Sequence, residues 1–471
     1  MIFSSALFLF YFFPVFLVAY FLTPVAHKNK TALLGSALFY FWGAPWFGFV
    51  LVGAIVADFL LVKQLVAAEN ATAKQRLLTL AVGLNVGLLA YFKYANFFID
   101  NVNALLQSLA IEAVAWTAVV LPIGISFFTF QKLSYIIDVY YGKAKPLDQL
   151  ADYALYIMLF PQLIAGPIVR FNEIATQLKD RTAALNIDNK LNGIFRFSVG
   201  LAKKLLIANP LGEQVDLVFA STALEIGSLD AWTIITAYAF QIYFDFSGYS
   251  DMAIGIGLLL GFRFPENFNF PYIARSITEF WRRWHITLSN WMKDYLYIPL
   301  GGNRGSRSAT YVNLTIVFLF SGLWHGAAWT FVLWGLFHGC FLILDRLFLK
   351  SVLNRIGQLP ALVFTFIITL LGWVLFRSES LAFGWDYYAL LFSGEVSSTT
   401  FSIHFWTVFT IAAIISFVPG ILPIEEHLNR LLNMVDIGGF IWKFFVTLVL
   451  LILCMSEIEV SSFNPFIYFR F

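Results

Sequence analysis

The chain reads as an all-α polytopic membrane protein, and three observations carry that reading. Of its 471 residues, 60% are hydrophobic and 12% charged, whereas soluble globular domains carry about 25% charge. Mean hydropathy is +0.77. Apolar runs long enough to cross a ~30 Å hydrocarbon core recur from end to end. The alternating ~10-residue segments of a membrane β-barrel are absent. With no linker, low-complexity tract or soluble portion, residues 1–471 are expected to form a single integral-membrane domain.

The first run, Ile2 to Leu22, lacks a basic leading region and a small-residue cleavage site before Pro24. It is expected to be a retained helix rather than a signal peptide. Apolar stretches follow at 32–64, divided in two by Gly43-Ala44-Pro45, and at 77–94, 115–141, 151–168 and 191–209. The run 230–262 is expected to hold two helices separated near Gly248. Further spans fall at 310–324, 327–348, 360–377, 402–418 and 438–458. Pro122-Ile123-Gly124, Pro161 and Gly166-Pro167 interrupt their runs. Non-helical backbone at membrane depth is tolerated only inside protein or beside water. The expectation is therefore about eleven full crossings, with re-entrant and interfacial helices around a central solvated cavity.

Basic residues cluster at Lys28–Lys30, Lys63–Arg76, Lys143–Lys145, Arg170–Lys190, Lys203-Lys204, Arg263–Arg307 and Arg346–Arg355. The positive-inside rule favours the cytoplasmic side for most of them, most strongly for Arg263–Arg307. The two cysteines, Cys340 and Cys454, exclude a disulfide framework and a cysteine metal site. A net charge of +2 is too small to point to nucleic acid. No spacing of His, Asp and Glu reads as a metal site.

The segment from Phe262 to His285 is too polar to cross lipid alone and too aromatic to sit freely in water. Ser276 and Glu279 form a capping box, so a helix should start there, and Glu279 and Arg283 stand four apart on one face. Trp281, Trp284 and Trp291 suit the membrane interface. An interfacial amphipathic anchor is one reading. The presence of His285, Asn290, Lys293 and Asp294, close to the run Gly301-Gly302-Asn303-Arg304-Gly305, favours the lining of a site. In the stretch Gln241–Asp251, Asp245 and Asp251 need partners at membrane depth. Arg263, Arg282 or Arg283 are the expected partners, in a structural role. Gly257 and Gly261 are expected to let helices pack closely.

Trp324-His325-Gly326 places an ionisable imidazole inside the apolar run Leu314–Trp329. Charge at that depth is costly, so such a histidine is a functional candidate; the alternative is a buried imidazole that only bonds across helices. Trp324 and Gly326 fit a backbone that passes close to substrate. His338 lies thirteen residues further on, roughly 19 Å along a continuous helix, and is expected to pack between helices or reach the surface. His27, His404 and His427 default to interfacial roles.

These residues together carry a resemblance. Phe280-Trp281-Arg282-Arg283-Trp284-His285 and Ser321-Gly322-Leu323-Trp324-His325-Gly326-Ala327 resemble the two-histidine signature of membrane-bound O-acyltransferases. Tyr94–Phe97, Leu121–Phe127, Ser134–Tyr140, Leu163–Pro167, Tyr243–Gly255 and Pro465–Phe469 are similar to the bacterial branch of that family that includes alginate O-acetylation, with teichoic acid D-alanyl transfer a more distant relation. The resemblance implies a ring of transmembrane helices around a thinned centre where donor and acceptor meet from opposite faces. It implies His325 as the catalytic histidine and His285 as the second motif histidine.

Acyl transfer from a thioester to a hydroxyl needs a proton acceptor and a stabiliser for the developing oxyanion. Neutral His325 suits the base, direct attack to give an acyl-imidazole being the other option. His285 is expected to orient the donor or polarise its carbonyl. No bound cofactor is expected; acetyl-CoA is the expected donor, its phosphates suited to Arg282, Arg283, Lys293, Arg304 or Arg307, residues that equally suit anionic membrane lipid. Trp324 and Asn290 complete the expected donor site. The acceptor is expected to be an extracytoplasmic polysaccharide, reached directly or through an SGNH-type acetyltransferase partner, in a multi-pass protein of the bacterial inner membrane. Two alternatives remain at this point. One is D-alanyl transfer from a carrier protein to teichoic acid; the other is a proton-coupled transporter, although no internal repeat is apparent.

Overall fold

A computed structural model of the chain describes residues 2–221, 224, 226–396, 400–422, 437–460 and 463–467. Among these residues the secondary structure is helical and no strand occurs. His427, Tyr468 and Phe469 lie outside the described residues. The chain forms two compact units, Met1–Asn189 with Gly257–Phe264, and Lys190–Ile256 with Pro265–Phe471.

The first unit holds α1 (Leu7–Leu22), α2 (Lys28–Gly43), α3 (Pro45–Ala67), α4 (Ala71–Ser108), α5 (Ile125–Tyr140), α6 (Leu150–Met158) and α7 (Phe171–Lys179). The expected division at Gly43-Ala44-Pro45 is present, with Pro45 opening α3 where its missing N–H costs nothing. The run 115–141 is helical only from Ile125. Gly124 stops it: its φ is +80°, and a Cβ there would lie 2.7 Å from the Leu163 carbonyl oxygen. The run 151–168 likewise breaks after Met158, giving way to a single turn, Phe160–Leu163, that contains Pro161. Four side chains that would be costly alone meet in this unit's interior. Asp58 receives Lys132 at 3.2 Å, Asn85 at 2.8 Å and the Tyr153 hydroxyl at 3.3 Å, all four buried.

The second unit takes in α8 (Ile187–Ala202) from Lys190 onward; this helix passes through a widened π turn, Lys203–Ala208, into α9 (Asn209–Phe219). Then come α10 (Ser228–Leu259) and two short helices, α11 (Ile277–Arg283) and α12 (Ile286–Met292). A helical hairpin follows, α13 (Arg307–His325) and α14 (Trp329–Ile356), then α15 (Gln358–Arg377), α16 (Leu381–Ser393), α17 (Ile403–Ile421) and α18 (Ile437–Val460). Helix α16 was not expected from hydropathy.

The expected break near Gly248 does not occur: α10 runs unbroken for 32 residues. Gly248 instead allows close approach. A Cβ on Gly248 would stand 2.7 Å from the Gly200 carbonyl, one on Gly200 would stand 2.5 Å from the Gly248 carbonyl, and Gly255 and Gly193 repeat the contact at 2.6 Å. These pairs seat α8 against α10. The role expected of Gly257 and Gly261 therefore belongs to other glycines. Gly257 faces the Phe264 ring, and Gly261 lies beyond the end of α10 with φ at +80°.

Among the described residues five helical stretches are long and apolar enough to cross a membrane: α3, α4, α14, α15 and Gly438–Val460 of α18. Leu7–Leu22 and Ile403–Pro419 are shorter apolar helices.

The glycine contact gives a direct test of the helix seating. Gly200→Val forces side-chain atoms into the Gly248 backbone, where no rotamer relieves the clash. The expected cost is about 1–3 kcal/mol, read as a lower melting temperature of the detergent-purified chain. Gly87→Ala on α4, which meets nothing within 4 Å, should leave the melting temperature unchanged or raise it.

Candidate active site

Helix α13 begins where the Ser306 hydroxyl accepts the Ala309 N–H at 3.1 Å and ends at His325. Gly326 and Ala328 are extended, and α14 starts at Trp329. The two helices touch backbone to backbone. A Cβ on Gly322 would lie 2.2 Å from the Phe331 carbonyl, and one on Gly335 would lie 2.3 Å from the Phe318 carbonyl. Gly326 presses on the Phe331 ring at 2.1 Å from its Cβ position, so the close approach expected there is made by the protein's own side chain. The hairpin holds His325, 4% exposed, edge-on to Trp324, Trp334 and Phe376 at ring centroid distances of 4.9, 5.1 and 5.2 Å.

His285 arrives from the polar segment. Ser276 caps α11 by accepting the Glu279 N–H at 3.1 Å, and Glu279 pairs with Arg283 at 2.9 Å, both as the sequence implies. Asp345 of α14 accepts the Thr278 N–H and hydroxyl, each at 2.8 Å, and so places a carboxylate at the start of α11. The chain then turns sharply at His285, whose φ is +42°, before α12 begins. That left-handed conformation is costly for a residue with a Cβ. His285 is fully buried, and desolvation pushes its pKa down. Its ring meets Phe246 of α10 at 4.7 Å, Trp324 at 5.9 Å and His325 at 6.5 Å. The two motif histidines are thus brought together by separate elements, 40 positions apart in sequence (285 to 325).

One residue that sequence reasoning passed over secures this corner. Asn267, 1% exposed, accepts through its backbone carbonyl the Ile286 N–H at 2.9 Å. Its side-chain oxygen lies 3.0 Å from His285 Nδ1, 2.8 Å from the Thr287 hydroxyl and 3.3 Å from the Thr287 N–H. Its Nδ2 donates to Ser250 of α10 at 3.1 Å. Nothing in its sequence setting, Pro265-Glu266-Asn267-Phe268, marks it out.

The carboxylates of α10 pair differently from the expectation. Asp245 meets Lys204 of the π turn at 2.8 Å, not an arginine of the 263–283 segment. It also accepts the Ile467 N–H at 2.8 Å, while Lys204 reaches the Pro465 carbonyl and Asn209 donates to the Phe463 carbonyl at 3.0 Å. Asp251 is held by Arg196 at 2.7 Å and Lys203 at 2.6 Å, and Arg196 also pairs with Glu266. The partners lie on α8 and the π turn because the glycine contacts bring those backbones alongside α10. Both acids are thus engaged in ion pairs with cations of the same unit.

Of the residues expected to bind donor, Trp324 is buried at the histidine pair, Arg283 is tied to Glu279 and the Asn269 carbonyl, and Asn290 is half-buried. Arg282, Lys293, Arg304 and Arg307 are exposed. His338 is buried between Trp281 and Trp334 at 5.1 and 5.0 Å; it is a helix-packing residue and not a surface one. His27 and His404 are exposed. Among the described residues no cluster of His, Cys, Asp and Glu has metal-binding geometry.

Comparison with known proteins meets this geometry from the other side. A sequence model of the membrane-bound O-acyltransferase family matches residues 146–354, which include both histidines. The chain is 46% identical over 394 residues to a probable alginate O-acetylase of Azotobacter vinelandii, covering 83% of this chain and 78% of that protein. A probable alginate O-acetylase of Pseudomonas putida is 41% identical over 490 residues, covering 100% of both. A peptidoglycan O-acetyltransferase of Helicobacter pylori is 40% identical, over 81% of this chain and 78% of that one. With likeness of this depth across its length, the chain belongs to the membrane-bound O-acyltransferase family and is an acyltransferase.

Proposed function

We propose that the protein passes acetyl groups from cytoplasmic acetyl-CoA to an extracytoplasmic polysaccharide such as alginate, as a multi-pass protein of a bacterial inner membrane. The observation that carries this reading is the pair of buried imidazoles with ring centroids 6.5 Å apart. At that separation the rings do not hydrogen-bond each other directly, and a single oxygen can sit between them. The acetyl-transferring names of the relatives favour acetyl over D-alanyl as the group moved. The same names, with the absence of an internal repeat, weigh against a transporter.

In this mechanism His325 takes the proton of the acceptor hydroxyl as its oxygen attacks the thioester carbonyl. The C–S bond breaks as the tetrahedral intermediate collapses, and the imidazolium returns the proton to the leaving thiolate. Such a base must be neutral before it accepts the proton. The exposed cations Arg282, Lys293, Arg304 and Arg307 suit the phosphates of the donor, and Trp324 and Asn290 suit its reactive end. An SGNH-type partner takes the acetyl group onward where the polymer does not reach the site itself. The shorter apolar helices Leu7–Leu22 and Ile403–Pro419 are read as further crossings, and the rest of the expected eleven fall to other helices.

Proteoliposomes holding the purified chain and radioactive acetyl-CoA test the reaction, with candidate polymers and a partner subunit added in turn. Transfer that depends on both donor and polymer is the expected result; label that stays in acetyl-CoA under every condition overturns the proposal. His325→Ala should reduce transfer by about 10²–10⁴-fold at normal membrane abundance, and retention of more than about a tenth of activity removes it from the role of base. His285→Ala should keep measurably more activity than His325→Ala in single turnovers.

The direction of transfer has its own test. Ser306 is exposed at the foot of α13, and the dense basic segment before it should face the cytoplasm. On a background lacking Cys340 and Cys454, Ser306→Cys should react with an impermeant thiol reagent in inverted vesicles and stay unlabelled in intact cells. The opposite pattern reverses the proposed direction.

A further inference from the structure

The hydrogen bonds around Asn267 fix more than the position of His285. A backbone N–H can only donate, so the side-chain atom of Asn267 that faces the Thr287 N–H at 3.3 Å must be its oxygen. The Thr287 hydroxyl at 2.8 Å is satisfied by the same oxygen. On the far side, the amide nitrogen finds the Ser250 hydroxyl at 3.1 Å, which completes the assignment. The atom 3.0 Å from His285 Nδ1 is therefore an acceptor, and Nδ1 must carry the hydrogen. A neutral imidazole has one N–H and one lone pair. With the hydrogen on Nδ1, the lone pair is on Nε2, which points away from Asn267.

We infer that Asn267 is a positioning residue that locks His285 in the Nδ1–H tautomer, so that His285 presents a hydrogen-bond acceptor, not a donor, through Nε2. Of the two roles expected for His285, this leaves orienting the donor and excludes polarising its carbonyl. Polarising a thioester carbonyl requires an N–H aimed at the carbonyl oxygen, and the only N–H of neutral His285 is committed to Asn267. The group His285 can hold is an S–H donor, the thiol released after transfer, because the single O–H of the attacking hydroxyl goes to His325. The inference rests on the acetyl-transfer reading for the identity of that group, but the tautomer itself does not.

Several features show that this corner is built to hold one ring orientation. The lock reaches His285 along two routes, through the Asn267 side chain to the ring and through its carbonyl to the Ile286 N–H. Phe246 packs edge-on to the ring at 89°, and Phe268 lies nearly parallel to it at 6.5 Å. Ser250 and Phe246 both come from α10, one beside each of the carboxylates that pair with Lys204, Lys203 and Arg196. Of the groups named against His285, the rings of Phe246, Phe268 and Trp324, the Asn267 amide and the Thr287 hydroxyl carry no charge, and His325 is the titratable one.

Nitrogen-15 solid-state NMR of the full chain in lipid reads the tautomer directly. The His285 resonances are assigned by their loss in His285→Phe. The expected result is a protonated Nδ1, bonded to Cγ, and an unprotonated Nε2; a protonated Nε2 in the neutral ring overturns the inference. This readout needs no acyl transfer, so it stands even if the acetyl-transfer proposal fails.

Two variants connect the tautomer to rate. Asn267→Leu keeps the volume without the acceptor, and should release the Nε2–H form and lower kcat about 10–100-fold with little change in the KM for acetyl-CoA. Asn267→Asp keeps an acceptor in place and should retain clearly more activity than the leucine variant. A carboxylate beside Nδ1 also favours imidazolium, so the acidic limb of the pH profile should move to higher pH in Asn267→Asp. Equal loss in both variants with an unmoved profile assigns Asn267 a packing role only and overturns the inference.

Discussion

Asp58, Asp245 and Asp251 each sit on a helix whose surroundings are apolar, and each is met at close range by a cation from a neighbouring element. Lys132 faces Asp58, Lys204 faces Asp245, and Arg196 and Lys203 share Asp251. The constraint behind these pairs is that a charge buried in apolar surroundings is costly unless an opposite charge meets it. Removing one partner of such a pair typically costs about 3–5 kcal/mol, because the other is left buried and uncompensated. Each pair therefore fixes which helix lies beside which, and at what rotation. The candidate site depends on that fixity. Phe246 and Ser250, which touch His285 and Asn267, lie next to Asp245 and Asp251 on α10.

Glycine contacts and ion pairs act together to seat these helices. Gly200 and Gly248 let α8 and α10 approach until backbone meets backbone, and only then do Lys203 and Lys204 come within reach of the two acids. The hairpin of α13 and α14 uses the same device at Gly322 and Gly335. There it sets the depth at which His325 stops, since Gly326 cannot carry a side chain against the Phe331 ring. The site is thus two rigid pieces, a glycine-packed hairpin bearing His325 and a polar-anchored corner bearing His285.

Much of this was legible in the sequence, for physical reasons that can be named. Composition gave the membrane class, the capping box gave α11, and two histidines in polar or aromatic surroundings marked the site. The break at Gly43-Ala44-Pro45 was readable because proline opens a helix more easily than it continues one. Gly248 was misread because a glycine that breaks a helix and one that admits a neighbour look alike in one dimension. The partners of Asp245 and Asp251 were misassigned for a related reason: nearness in sequence favoured Arg263 to Arg283, whereas packing brought in α8 and the π turn. Asn267 carried no sequence signal, because its importance lies in where its three donors come from. Hydropathy missed α16, whose thirteen residues are too few for a span.

The strain in this molecule gathers where the chemistry is. Among the described residues, three without glycine's freedom have positive φ: Ala110, Phe270 and His285. Two of the three bracket the polar segment around α11. A glycine at position 285 would take the left-handed turn at little cost, but it would bring no imidazole. Conformations of this kind cost on the order of 1–3 kcal/mol and persist only where surrounding structure over-determines them. Here the over-determination is explicit. The Asn267 carbonyl takes the Ile286 N–H on one side of the turn, and the Arg283 carbonyl takes the Asn269 N–H on the other. The backbone bonds hold the turn, the turn aims the ring, and the Asn267 amide sets which nitrogen of that ring carries the proton.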